Sequence, residues 1–140
     1  MRALAIDYGT ARIGLAISDE LKMFASPLKV LASSADSPAE IAGIVAAGDV
    51  DIVVLGMPYR LDGTESETTK RVKVFAEKLR PLLGCPLVEW DESFSTRTAS
   101  ERMIAAGVRK KKRREKGTSD LWAASVILQE YLDARPGRRA

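Results

Sequence analysis

Four acidic residues stand where the chain around them is otherwise apolar. Asp7 ends the run Ala3-Leu4-Ala5-Ile6, Asp91 and Glu92 follow the stretch "CPLVEW", and Asp120 opens the helical pattern "SDLWAASVIL". A carboxylate carried toward a buried surface must be hydrogen-bonded, paired or metal-bound, because an uncompensated charge there is costly. Each also has a plain structural reading. Asp7 can cap the turn before Gly9, Asp91 and Glu92 can be loop acids, and Asp120 at a helix start gains about 0.3–1 kcal/mol from the macrodipole. Taken together they point elsewhere. Two strand ends and a helix start can converge in an α/β sheet, and three carboxylates in one place repel unless a divalent cation neutralises them. Oxygen-only ligation suits Mg²⁺ or Mn²⁺, and two such ions about 3.5–4 Å apart are the usual device for phosphodiester hydrolysis.

The chain contains no histidine. That removes Ser-His-Asp and Cys-His nucleophile systems and most zinc sites, so hydrolysis would fall to carboxylates, a lysine, a tyrosine or a carboxylate-held metal. The single cysteine, Cys85, excludes an internal disulfide, and its place before Pro86 in an apolar stretch reads as core filling. With 140 residues, 46% hydrophobic and 29% charged, the composition predicts one domain over 1–134, followed by a flexible basic tail at 135–140. No run approaches the ~18 apolar residues of a membrane span, and the N-terminus does not read as a signal peptide, so a cytoplasmic location is expected.

Charge is unevenly spread. Residues 109–116, "RKKKRREK", carry a net +6, which leaves about −3 on the remainder of a chain whose total is +3. A basic block on a mildly acidic body suits a polyanion, which makes Arg109, Lys110, Lys111, Lys112, Arg113 and Arg114 candidate contacts to nucleic-acid phosphates. A solvated loop is the competing reading. Few aromatics interrupt the block, so base stacking should be weak. In the first loop, Thr10 offers a hydroxyl to a phosphate, and Arg12 offers a guanidinium to a phosphate or a nearby acid. Gly9 fits a tight turn, and Gly14 permits close backbone approach.

The elements that must position these groups follow from periodicity and caps. Residues 3–8 and 12–18 read as a hairpin, and 22–30 as a third short strand that Pro27 either confines to an edge or interrupts. Ser37 as cap, Pro38 as first helical residue and Glu40 as capping-box partner start a helix with an Ile41, Ile44, Val45 stripe, ended by Gly48. Residues 51–56 form a β-branched strand. Thr64 and Glu67 suggest a second capping box, before a helix presenting Val72, Phe75, Leu79 and Leu82. Residues 85–90 are the last strand, and helices follow from Ser95 and from near Thr118 to Asp133. On the last helix, Ala123, Ala124 and Ile127 share the face of Asp120. The result is an α/β fold: a mixed five-stranded sheet with three leading antiparallel strands and helices on its faces. Ser18, Asp19 and the 58–63 loop read as turn residues.

Four ordered blocks, "DYGTARIGLAISD", "LGMPYRLDGTESE", "DESFSTRTA" and "SDLWAASVIL", resemble the YqgF family, also called RuvX. Its members are Holliday-junction-resolvase-like nucleases implicated in processing the 5′ end of pre-16S ribosomal RNA. The similarity runs from residue 2 to about 133. It implies a ribonuclease H-like fold, a divalent-metal nuclease and a cytoplasmic role in ribosome biogenesis. Structured RNA or branched DNA and ribosomal particles would be its partners. It aligns the family's first-strand aspartate with Asp7, its acidic pair with Asp91 and Glu92, and its last-helix aspartate with Asp120. Neighbouring residues leave a strand in opposite directions, so one of the two faces the site; Glu92 is preferred as the metal ligand, with Asp91 as the alternative. The family reads D-E-R at this pair, whereas Ser93 stands here; Arg97, four residues on, is the candidate to replace that contact. The expected reaction yields a 5′-phosphate and a 3′-hydroxyl. A junction resolvase acting as a homodimer and a binding module without catalysis stay open as alternatives. An ATP-binding protein of the actin and sugar-kinase type would need two such domains.

Overall fold

Alternating large and small apolar residues shape the first three strands. β1 (Arg2–Tyr8) and β2 (Arg12–Ser18) form an antiparallel hairpin, with Asp7 opposite Gly14 and Tyr8 opposite Ile13. The turn admits only glycine at its first position, because a Cβ on Gly9 would lie 2.5 Å from the Arg12 carbonyl oxygen. The computed structural model describes residues 1–60, 62–92, 104, 107 and 118–135, with the backbone alone for 118–120. β3 (Ala25–Ala32) pairs antiparallel with β2 at the sheet edge. Pro27, which has no N–H to give a ladder, sits there beside a bulge opposite Leu15 and Ala16, as expected of an edge proline.

Two parallel strands complete the sheet. β4 (Val50–Met57) pairs with β1, β5 (Leu87–Asp91) pairs with β4, and the order is β3-β2-β1-β4-β5. Helix α1 (Ser37–Ala47) precedes β4, α2 (Glu67–Leu79) with a short 3₁₀ turn (Arg80–Leu82) precedes β5, and α3 (Thr118–Ala134) closes the fold. The helix expected from Ser95 lies mostly outside the described residues; within it, Ile104 is helical and Gly107 has a positive φ.

Helix starts differ from the sequence expectation for identifiable reasons. Asp36, not Ser37, is the N-cap of α1, and no side chain caps it, so the box with Glu40 does not form. The buried Ser37 hydroxyl instead accepts from Ser34 N–H (2.8 Å) and donates to the Ala32 carbonyl (3.3 Å), pinning the corner between β3 and α1. The cap of α2 is Ser66, with Thr69 closing the box in place of Thr64 and Glu67. Thr64 is engaged in a turn, its N–H and hydroxyl both donating to Asp62 Oδ1. Those two bonds hold the Asp62 carboxyl below its ordinary value, the hydroxyl contributing most. Leu82 does not extend the buried stripe of α2. Pro81 ends the α-helical ladder, and Leu82 is exposed on the turn that follows.

The two faces of the sheet are unlike. Leu4, Ile6, Ile13, Leu15, Val53, Leu55 and Met57 point to one side, where they pack with Ile41 and Val45 of α1 and Val72, Phe75 and Leu79 of α2. Cys85 packs at the margin of this core, as expected, and burial, with a smaller contribution from Asp51, pushes its thiol up. Ala3, Ala5, Ala16 and Val54 point to the other side and receive Ala124, Ile127, Leu128 and Leu132 of α3. Ala123 is a correction to the expected stripe: it is buried with Trp122 and Val126 in a separate cluster, one helical step around from Ala124. Arg135, assigned to the tail, donates to the Lys22 carbonyl (3.2 Å); residues 136–140 lie outside the described residues. Among the described residues no helix is long and apolar enough to cross a membrane.

Thr69 ties α2 to the end of β4. Fully buried, it accepts from Ser66 N–H at 3.0 Å and donates to the Pro58 carbonyl at 2.7 Å. Thr69→Val keeps the shape and leaves both partners unsatisfied. Urea unfolding should show a loss of about 1–3 kcal/mol; an unchanged midpoint would remove this residue from the anchoring of α2.

Candidate active site

Strand alternation decides where the acids go. In β1, Ala3 and Ala5 face α3 while Leu4 and Ile6 face α1 and α2. Asp7, two residues beyond Ala5, therefore stands on the α3 face at the C-terminal end of a central strand, half-buried. Across the hairpin its register partner is Gly14, which adds no side chain to that face. Arg12 shares the parity of Gly14 and Ala16, so it too belongs to the α3 face; Thr10 is exposed in the loop between the strands.

β5 separates the acidic pair by the same rule. Asp91 pairs with Met57 on the parity of Leu87, toward the α1 and α2 side, and is exposed. Glu92 follows the parity of Trp90, which packs on the α3 side. Its N–H donates to the Met57 carbonyl at 3.2 Å, fixing the chain just past the strand end. Its carboxylate turns back over β4: a Cβ placed on Gly56 would lie 2.5 Å from Glu92 Oε2, 3.0 Å from Glu92 Cδ and 2.6 Å from Ile127 Cδ1. Glu92 Oε2 is shut off from solvent. Leu55 pairs with Ile6, so Gly56 comes level with Asp7 one strand away, a spacing of about 5 Å. Glu92 and Asp7 are thereby brought to one face, and Asp91 is directed to the other.

The backbone of α3 runs over this face with its N-terminal end at the same sheet edge. Ile127 touches the Gly56 position, and Gln129, farther along, bonds Ala25 N–H and the Met23 carbonyl at the opposite edge. Asp120 lies in the first turn of α3, three and four residues before Ala123 and Ala124. Its side chain lies outside the described residues, as do Arg97 and Arg109, Lys110, Lys111, Lys112, Arg113 and Arg114. Among the described residues no group of three or more metal-ligating side chains is assembled. The described donor set, Asp7 and Glu92, is oxygen-only and half-enclosed, which fits a hard divalent cation.

Among the described residues the turn reading of Asp19 and of the loop after β4 holds, whereas Ser18 is the last, buried residue of β2. The Ser18 hydroxyl accepts from Ala3 N–H (2.9 Å) at the far end of β1. Asp19 accepts from Met23 N–H and Phe24 N–H, and those bonds, the latter most, hold its carboxyl below its ordinary value. The loop after β4 is tied to itself, Arg60 N–H donating to the Thr64 carbonyl and Gly63 N–H to the Arg60 carbonyl. Gly56 is the site residue that sequence reasoning missed. Its visible trace is a glycine inside the β-branched run "DIVVLG".

Comparison with known proteins converges on one group. A family model described as RuvX, Holliday junction resolvase, matches residues 1–134. A relative from Syntrophus aciditrophicus, named "Putative pre-16S rRNA nuclease", is 43% identical over 136 residues, covering 96% of this chain and 89% of its own. A Geobacillus kaustophilus relative of the same name is 39% identical over 139 residues, covering 96% and 99%. Among solved structures, Thermus thermophilus RuvC with a Holliday junction substrate aligns with a TM-score of 0.63 at 16% identity, over 99% of this chain and 97% of that one. The fowlpox virus resolvase in complex with Holliday junction DNA gives 0.58 at 13% identity, over 95% and 97%. At such identities the likeness carries the fold, which is the expected ribonuclease H-like α/β sheet.

Gly56→Ala tests the seat of Glu92. The added methyl meets both the carboxylate and Ile127 Cδ1, so urea unfolding should show a loss of about 1–3 kcal/mol. Combined with Ile127→Val, which removes that Cδ1, it should cost less than the two single changes summed. Parent-like stability of Gly56→Ala would mean that Glu92 does not occupy this position.

Proposed function

The chain belongs to the RuvX family, and from that premise we propose that it is a divalent-metal-dependent nuclease that processes the 5′ end of pre-16S ribosomal RNA. The observation that carries the reading is the Glu92 carboxylate turned back over Gly56 on the face of Asp7. The names borne by relatives at 39–43% identity supply the substrate class. Asp7, Glu92 and Asp120 would hold Mg²⁺ or Mn²⁺; bound there, the ion supplies an activated water and charge stabilisation for the leaving oxygen. The residues themselves bring three further things. Strand ends and a packed helix hold the carboxylates in place, so little reorganisation accompanies the reaction. The Ile127 side chain closes the site from beneath and limits water on that side. Arg12 on the same face, Thr10, Arg97 and the block from Arg109 to Arg114 draw in the phosphate backbone, with an affinity that falls as salt rises. The reaction takes place in the cytoplasm, on RNA within an assembling ribosomal particle.

A labelled 16S precursor leader, incubated with Mn²⁺, Mg²⁺ or EDTA, gives the test. Cleavage should require metal and leave a 5′-phosphate and a 3′-hydroxyl. Asp7→Asn, Glu92→Gln and Asp120→Asn should each lower kcat/KM by about 100-fold or more. Asp91→Asn, on the opposite pleat, should stay within about threefold of the parent. Cleavage that persists in EDTA would sink the metal reading, and loss on Asp91→Asn with retention in Glu92→Gln would reverse the ligand assignment. Paired nicking of a four-way DNA junction in preference to the leader would make the protein a resolvase. Binding of both without cleavage would make it a binding module.

A further inference from the structure

Tyr8 immediately follows Asp7 and therefore leaves the strand on the opposite face. There its ring stacks on Phe75 of α2, centroids 4.5 Å apart and planes 27° from parallel. Beside this pair lies a cavity of about 270 Å³ between the start of α1 and the outer side of α2, small for a ligand pocket but open to solvent. Tyr8, Phe75, Val74 and Pro38 give it apolar walls, and Arg71 and Lys78 stand on its rim. Val74 is 50% exposed, an unusual position for a valine on the surface of a charged helix.

The two rim cations differ from their neighbours on the same helix. Lys70 pairs with Glu67 and Lys73 with Glu65. Among the described residues Arg71 and Lys78 have no ion pair, and both are exposed. They lie seven residues apart, two turns or about 10 Å, with Val74 and Phe75 between them. An apolar, aromatic-walled hollow with a cation at each end suits a nucleotide unit: base against Tyr8 and Val74, phosphates toward Arg71 and Lys78.

We propose that this cavity is a nucleotide subsite for the RNA strand, reached across the C-terminal edge of β1 from the carboxylates on the opposite face. The proposal rests on the nuclease reading for its substrate class. Consecutive residues of one strand, Asp7 and Tyr8, place the two sites back to back. A strand draped over that edge presents one phosphodiester to Asp7 and Glu92, and a neighbouring nucleotide to the cavity. Free mononucleotide shares the chemistry but would not need the edge.

The experiment uses the full chain in EDTA, so that binding is read without cleavage. Anisotropy of a labelled 12-nucleotide single-stranded RNA is followed across a salt series for the parent, Arg71→Ala/Lys78→Ala, and Lys70→Ala/Lys73→Ala. The first double variant should weaken binding about tenfold or more and lower the salt slope by about 1.4. The second, at lysines already paired, should stay within about twofold. With metal present, the first should raise KM while kcat stays near the parent value, whereas Asp7→Asn lowers kcat. Parent-like affinity and salt slope for Arg71→Ala/Lys78→Ala would overturn the subsite while leaving the nuclease reading intact. Weakened binding by Arg71→Ala/Lys78→Ala, together with a parent protein that cuts no RNA, would support the subsite and count against the nuclease reading. If adenosine 5′-monophosphate binds the parent as tightly as the RNA does, the cavity is a mononucleotide site and the strand path is wrong.

Discussion

Everything at the acidic edge depends on how closely α3 can approach the sheet. The face it covers presents Ala3, Ala5, Ala16 and Val54, with Gly14 and Gly56 at the edge, whereas the opposite face presents Leu, Ile and Met. Small side chains under a helix bring its axis close, and close packing of Ile127, Leu128 and Leu132 then fixes where the helix begins. The N-terminal turn of α3 and the C-terminal ends of β1, β4 and β5 are thus held to one edge by packing, with no disulfide available to do it. Under the proposed function, repulsion among the acids would oppose this arrangement, and the apolar contact behind them would resist it.

Much of this was legible in the residues. The alternation Ala-Leu-Ala-Ile-Asp already states which face Asp7 takes, and the apolar runs at 12–18, 51–56 and 85–90 lie within one or two residues of the observed strands. The antiparallel pairing of the three leading strands and the edge position of Pro27 also followed. What was not legible is the use of short polar side chains. Ser37 matches a helix cap by spacing but serves the β3 corner, and Thr64 matches one but serves a turn with Asp62. Both choices depend on which backbone group lies within 3 Å in the folded state, and sequence spacing holds no information on that. Leu82 fails for a simpler reason: helical periodicity was read through a proline.

The mismatch between the sheet's two sides also divides labour between the helices. α1 and α2 cover large side chains, and a hollow lies beside Tyr8 and Phe75 on that side. α3 covers small ones, and Ile127 lies against the Gly56 position beneath the Glu92 carboxylate. One strand end thus borders two environments of different character. A carboxylate edge suits a cation and a phosphodiester, and an aromatic hollow with cationic rims suits the rest of a nucleotide.

Glu92 and Gly56 form a single device under the proposed function. The register position opposite Gly56 on β5 belongs to Trp90, whose bulk packs on α3 and whose indole N–H donates to Glu130 at 3.2 Å. The residue available to meet Asp7 from that side is therefore two positions on, past the strand end, and it must reach backward. An aspartate at 92 would be shorter by one methylene. Glutamate has the length, but its path crosses the surface of β4, where any Cβ would stand 2.5 Å from Oε2. The long acid thus requires the missing side chain. Gly56 in turn, costly in a strand because it packs nothing, leaves room both for that carboxylate and for Ile127 Cδ1, which a Cβ would meet at 2.6 Å. Asp91 lies on the other pleat, opposite Met57, so under the proposed function the two adjacent acids would not be interchangeable.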